Sequence, residues 1–267
     1  MENILKKIIS KKKENIFNYK KKYSEETLLK NIKYTKNFFN FKKKMKERDV
    51  ENKISVIAEI KKASPSSGLI VKNFNHLNIA KSYYDNGASF LSVLAEEDFF
   101  LGKLDYIKDI KDNLKIPILC KDFFIDTYQV ALAKSFGADC ILIILSAVDK
   151  ILAKDLYQAA NDLSISTLIE VHTEQEAEIA LSFEDSIIGI NNRNLKTLEI
   201  SLSTSVNLSR ILSPHKNPLV VESGLNSVDD INFIIQNTKI TNFLIGESLL
   251  KSDDIGLKLK GFTQINL

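Results

Sequence analysis

In the stretch VIAEIKKASPSSG, Val56 to Gly68, a carboxylate and an ammonium, Glu59 and Lys61, stand two residues apart at the end of an apolar run and precede a Ser-Pro turn. Side chains alternate in direction along a strand, so residues two apart share a face. The pattern of a polar end on an apolar run repeats down the chain. Lys121 closes PILCK, Glu170 lies one residue from the end of STLIEV, Asn191 closes SIIGIN, and Glu222 and Ser223 follow PLVV. Carboxylates, amines and an amide gathered in one place can exchange protons with a substrate. Lysines drawn into a narrow apolar mouth are expected to lose hydration and fall in pKa toward the range of a general acid, a nearby carboxylate opposing the fall. Burial of Glu170 behind STLI is expected to raise its pKa. In VESGLNS and LIGESLL, Gly224 and Gly246 sit just past apolar runs, where backbone N–H groups and a following helix N-terminus would receive an anion. Ser64 adds a hydroxyl donor and Lys61 a cation within reach, so the set suits a phosphorylated small molecule.

These groups need a scaffold that brings distant strand ends together. From Ile54 onward, eight short apolar runs alternate with longer amphipathic stretches: ISVIAEI from Ile54, SFLSVL from Ser89, PILCK from Pro117, DCILIIL from Asp139, STLIEV from Ser166, SIIGIN from Ser186, PLVVES from Pro218 and NFLIG from Asn242. A recurrence of roughly 20 to 35 residues is the rhythm of strand-helix units closing into a parallel (β/α)8 barrel, whose working residues sit at the C-terminal strand ends. An open doubly wound sheet shows the same alternation, but no GxGxxG fingerprint is present to support its dinucleotide-binding form. The reading is therefore an α/β chain, a (β/α)8 TIM barrel, with residues 1–50 as an N-terminal helical extension over the barrel mouth and 1–267 as a single domain.

Composition narrows the setting. The chain has 267 residues, 44% of them hydrophobic, enough to fill a substantial core. Cys120 and Cys140 lie in apolar runs without CxxC or His-spaced patterns, which argues against a disulfide framework or a zinc site and for a reducing cytoplasm. No segment approaches the roughly 20 apolar residues of a membrane span, and MENILKKIISKKK lacks the apolar centre of a secretion signal, so an unprocessed cytosolic chain is expected. The formal charge is +3, yet lysines crowd the first fifty residues. A basic arm for nucleic acid is one reading; the interleaved acids and the helical spacing of Ile4, Leu5, Ile8 and Ile9, and later of Leu28, Leu29 and Ile32, favour solvated amphipathic helices.

VIAEIKKASPSSG resembles the signature of the indole-3-glycerol phosphate synthase family. SVLAEEDFF, PILCKDFFID, LIEVHTEQE, GINNRNLKTLEI, VVESGL and LIGESLL are similar to its other segments in the same order, from about Ile54 to Leu250, and the lysine-rich start is similar to its helical extension. The resemblance implies a (β/α)8 barrel that converts 1-(o-carboxyphenylamino)-1-deoxyribulose 5-phosphate into indole-3-glycerol phosphate with loss of carbon dioxide and water. It implies no metal or organic cofactor. The partner expected from the residues is a phosphorylated small molecule, with no nucleic acid and no membrane; a monomer is the expected state, which the sequence does not itself set.

By motif match, Lys121 would be the general acid at the substrate ketone, and dehydration would be shared among Lys61, Lys121 and Glu170, which lysine serves which step being left open. Glu59, Asn191, Glu222 and Ser223 match orienting positions. Arg193 in NNRNL would lie at the anthranilate end or support the mouth. Ser64, Gly224, Gly246 and Glu247 fall on the phosphate side, where Glu247 is awkward beside an anion and is expected to turn its side chain away while its N–H helps. Phe99, Phe100 or Phe123 would wall an aromatic ring, although core packing explains each of them. His172 shares a strand face with Glu170, but a lone loop histidine is usually structural and the resemblance assigns it nothing. The neighbouring pathway isomerase is the main alternative on such a barrel; it would need a Cys/Asp pair where this chain has Glu59 and Lys61.

Overall fold

The computed structural model describes residues 4–35, 37–195 and 197–265; the first three residues of the lysine-rich start, Lys36, Lys196 of GINNRNLKTLEI and the last two residues of the expected 1–267 domain lie outside the described residues. All eight apolar runs are strands: β1 (Ser55–Ile60), β4 (Phe90–Leu94), β5 (Ile118–Lys121), β6 (Cys140–Ile144), β7 (Ser166–Val171), β8 (Ile187–Asn191), β9 (Leu219–Glu222) and β10 (Asn242–Ile245). They close into a parallel barrel in which each strand pairs with the next in sequence and β10 pairs with β1. Two further strands, β2 (Ala63–Ser64) and β3 (Gly68–Leu69), form a small antiparallel pair in the loop after β1.

Parallel strands buried on both faces read as continuous apolar runs, and here the two faces separate by parity. Ile57, Phe90, Leu119, Leu142, Leu168, Ile187, Val220 and Leu244 pack together inside the barrel. Their neighbours one residue away, such as Val56, Ala58, Leu91, Ile118, Ile141, Ile169, Ile188 and Val221, pack outward against the helices. Several of those helices start at a side-chain cap and bury one apolar stripe. Lys150–Asp162 starts where the Asp149 side chain accepts from Leu152 N, and it buries Ala153, Leu156 and Ala160. Val228–Thr238 opens with a capping box between Ser227 and Asp230 and buries Ile231 and Ile234.

The extension does more than cover the mouth. Helix α1 (Ile4–Lys22) lies there, but α2 (Glu25–Tyr34) runs down the side against the helix Tyr128–Ser135, and α3 (Phe41–Val50) closes the opposite end. Phe41 and Met45 of α3 join the interior cluster, with the Phe41 ring 4.4 Å from that of Phe90. Asp49 accepts from Asn242 Nδ2 at 2.9 Å and Arg48 donates to Ser55 Oγ at 2.9 Å, both at strand starts. The expectation that residues 1–50 all sit over the mouth therefore holds for α1 alone, because α3 carries the bulky apolar pair that fills the barrel floor.

The lysines of α1 are not uniformly solvated either. Lys12 is 3% exposed and pairs with Asp122 at 2.7 Å, immediately after β5. Asn15 donates to Asp98 at 2.7 Å, Tyr19 bonds Glu97, and Lys20 pairs with Asp126 at 2.6 Å. Lys12, Asn15 and Tyr19 recur every three to four residues, with Lys20 beside the last, so one face of α1 is fastened to the loops after β4 and β5. No helix among the described residues is long and apolar enough to cross a membrane.

Candidate active site

A cavity of about 360 Å³ opens at the C-terminal end of the barrel, beneath α1. Strand parity explains its lining. The interior register that holds Ile57, Leu119, Leu168 and Val220 delivers Glu59, Lys121, Glu170 and Glu222 one same-face step further along the same strands, and that of Ile187 delivers Asn191 two steps on, past Gly189. Lys121 Nζ donates to Glu170 Oε2 at 2.9 Å and to Glu222 Oε2 at 2.6 Å. Asn191 Nδ2 donates to Glu170 Oε1 at 3.2 Å, and Lys61 Nζ donates to Glu59 Oε1 at 2.6 Å. Acid, amine and amide from five strand ends thus meet in one buried cluster.

Two glycines make the cluster possible by their size. A Cβ on Gly189 would stand 2.2 Å from Glu222 Oε1 and 2.6 Å from Leu168 Cδ2, and one on Gly246 would stand 2.6 Å from Glu59 Oε1. Gly246 was expected only for its backbone approach to an anion; it also yields room to a carboxylate. Gly224 is required for conformation as well as for size, at φ +80° and with Ile200 Cγ2 2.6 Å from where a Cβ would stand, and Ser223 beside it adopts φ +65°, a left-handed geometry that costs a non-glycine residue roughly 1 kcal/mol or more.

The electrostatics reverse two expectations. Burial pulls the Lys121 pKa down, but Glu170, Glu222 and Glu59 outweigh it and hold the ammonium well above the ordinary lysine range. Burial likewise pushes Glu170 up, yet Lys121 and His172 overcome it and keep Glu170 well below the usual carboxylate range. Lys121 is thus a firmly charged cation and Glu170 a firmly ionised base. The displaced proton affinity falls on Glu222, which burial and then the Glu170 charge push up to about 7 against the pull of Lys121. Like-charged groups sharing one site separate their pKa values in this way.

One side of the cavity is built from the loops after β1, β8, β9 and β10. Ser64, Arg193, Ser223, Gly224, Gly246 and Glu247 all line the cavity there. Glu247 does not turn away as expected. Its Oε1 accepts from Ser67 Oγ at 2.8 Å and Lys251 Nζ at 2.6 Å, while Oε2 lies 3.6 Å from Arg193 Nη2. Those donors outweigh burial and lower its pKa, so the carboxylate remains at the rim as a partnered anion. Among the described residues, no group of three or more His, Cys, Asp and Glu side chains is arranged to hold a metal ion.

The opposite wall is apolar. Phe100 and Phe123 line it with ring centroids 6.2 Å apart, joined by Leu142 and Ile144 from β6. Phe99 faces elsewhere, its backbone N–H donating to Glu96 at 2.7 Å. Ile4, Leu5 and Ile8 of α1 complete the roof. Their helical spacing was visible in the sequence, but nothing local tied them to the cavity. His172 was also passed over. Its side chain is 7% exposed, with Nε2 3.1 Å from Glu170 Oε1 and Nδ1 3.3 Å from Glu176 Oε2. Burial lowers its pKa, but the two carboxylates prevail and raise it to about 9.

The family model described as Indole-3-glycerol phosphate synthase matches residues 5–262. The chain belongs to the indole-3-glycerol phosphate synthase family. A relative of that name from Legionella pneumophila (strain Lens) is 45% identical over 206 residues, 77% of this chain and 79% of its own length. Another, from Polaromonas naphthalenivorans (strain CJ2), is 39% identical over 259 residues, 97% of this chain and 98% of its own, so family membership includes the extension as well as the barrel. Solved structures give the fold independently of sequence. A crystal structure of 3-hexulose-6-phosphate synthase superposes with a TM-score of 0.62 at 12% identity, covering 79% of this chain and 98% of that one. The tryptophan synthase alpha subunit from Legionella pneumophila str. Paris gives 0.61 at 12% identity, covering 83% and 96%. At that identity these two establish the fold alone.

Proposed function

We infer that the chain closes the indole ring of indole-3-glycerol phosphate from 1-(o-carboxyphenylamino)-1-deoxyribulose 5-phosphate, releasing carbon dioxide and water. The observation that carries the site assignment is the placement of one ammonium, Lys121, between two buried carboxylates at 2.9 and 2.6 Å on the cavity floor. Ring closure makes a bond between an aromatic carbon and the ketone carbon, so negative charge builds on the ketone oxygen. A charged, desolvated lysine aimed at that oxygen stabilises it electrostatically and supplies the proton. The raised pKa of Lys121 does not forbid this transfer, because an alkoxide is more basic still.

Decarboxylation restores aromaticity, and the hydroxyl left on the closing carbon must then depart with one proton from the neighbouring ring carbon. Glu170, ionised and held by Lys121 and Asn191, is our assignment for the base. Lys61, steadied by Glu59, is assigned to the leaving hydroxyl or the substrate anion. Glu222, at about 7, buffers the cluster as charge moves. Gly224, Gly246, Ser64 and the N–H groups beside them suit the phosphate, with Arg193 drawn toward it; Phe100, Phe123 and the α1 roof suit the anthranilate ring. The isomerase alternative lacks its cysteine here, since Cys120 packs on the helix side of β5, Cys140 packs in the barrel interior at the start of β6, and neither lines the cavity.

Purified chain supplied with the carboxyphenylamino substrate should generate indole fluorescence with steady turnover. Folded protein that produces none would contradict the assignment. A chain truncated to begin at Tyr23 loses Ile4, Leu5 and Ile8 from the roof while keeping α2 and the α3 floor. Its KM should rise about tenfold, the scale of losing one or two apolar contacts, with a smaller fall in kcat. An unchanged KM would detach α1 from substrate binding.

A further inference from the structure

We infer that His172 is a positioning residue for this reaction, its ring wedged between Glu170 and Glu176 so that the Glu170 carboxylate is held toward Lys121 and the cavity. The inference rests on the reading of Glu170 as the base. Three observations support it. His172 follows β7 on the face of Glu170, which brings Nε2 within 3.1 Å of Glu170 Oε1, an ion-pair contact outside hydrogen-bond geometry that leaves the buried Nε2 with no other partner among the described residues; the Lys121 contact is at the other oxygen, Oε2. Behind the ring, Glu176 accepts the His172 backbone N–H at 2.7 Å and stands 3.3 Å from Nδ1, so one carboxylate fixes both the main chain and the ring. Glu176 is itself set by the start of the helix Glu174–Ala180, where the Thr173 hydroxyl accepts from Glu176 N at 3.2 Å.

A helix N-terminus thus sets Glu176, Glu176 sets the imidazole, and the imidazole sets Glu170. The groups facing the ring are Glu170 from β7 and Glu176 from the following helix, with Lys121 beyond Glu170. Both facing carboxylates favour the imidazolium, so the ring also supplies positive charge that keeps Glu170 ionised.

The test is a double-mutant cycle on the full chain. His172→Leu removes both ring nitrogens at similar bulk and should lower kcat about tenfold, with KM changed less than twofold. In a Glu170→Gln background the same substitution should change kcat less than twofold, because its effect passes through Glu170. An equal loss in both backgrounds, or wild-type kcat for His172→Leu alone, overturns the inference. Wild-type kcat for Glu170→Gln alone would instead sink the underlying reading of Glu170. Should His172→Leu fail to fold, the imidazole titration of the intact protein by NMR decides. A transition near 9 that falls in Glu176→Gln supports the wedge, and a transition at the ordinary value of 6.5 overturns it.

Discussion

Lys121→Ala is expected to lower kcat by about 100-fold or more, the range that follows loss of a general acid. The substitution removes the side chain that donates hydrogen bonds to both Glu170 and Glu222. It therefore does two things together. The ketone oxygen loses its proton donor, and two buried carboxylates lose their shared cation. The second consequence has its own signature. Glu222 already stands near 7 in the folded chain against an ordinary value of 4.5, so its protonated form is favoured by folding. A raised acid contributes stability fully below its unfolded pKa and loses it as pH climbs through the folded one. Without Lys121 the folded values of both carboxylates move further up, and the variant should lose stability between pH 5 and 8 more steeply than the parent. Thermal unfolding across that range, beside steady-state kinetics at a pH where the variant is folded, separates the two effects. Wild-type kcat would remove Lys121 from the chemistry.

Glu170→Gln should cost kcat a comparable factor, about 100-fold, while KM stays within a few-fold. The amide keeps an acceptor for Lys121 but cannot take a proton. Glu170 is held ionised in the parent by Lys121 and His172, so the parent should show no loss of kcat from Glu170 protonation anywhere above the ordinary carboxylate range. A limb near 7 would report Glu222 instead. If Glu170→Gln turned over like the parent, Glu222 would become the nearest candidate base.

Much of this was legible in the sequence for a definite physical reason. The barrel strands are short and apolar on both faces, and five of the eight, β1, β5, β7, β8 and β9, carry a polar residue at or next to the C-terminal end, so Glu59, Lys121, Glu170, Asn191 and Glu222 could be placed on strand ends from local pattern alone. What stayed hidden depends on distance across the barrel. Lys121 and Glu222 are 101 residues apart in sequence yet 2.6 Å apart in space, and Glu170 together with Glu222 reverses the pKa that burial alone implies for a lysine. The β2–β3 pair was invisible because two-residue strands carry no periodicity. The role of α3 was missed because Phe41 and Met45 are too few to mark a helix as buried, although they seal the floor. His172 escaped because a single histidine has no pattern; the nearest signal was Thr173 followed three residues later by Glu176, a helix-start spacing that fixes the ring's neighbour.

The most direct test of the whole account is a crystal structure with a non-reacting analogue of the carboxyphenylamino ribulose phosphate. The account predicts the ketone oxygen within hydrogen-bonding distance of Lys121 Nζ, the phosphate against Gly224 and Gly246, and the ring between Phe100, Phe123 and α1. A ligand bound with its ketone remote from Lys121, or its phosphate away from those two glycines, would contradict it.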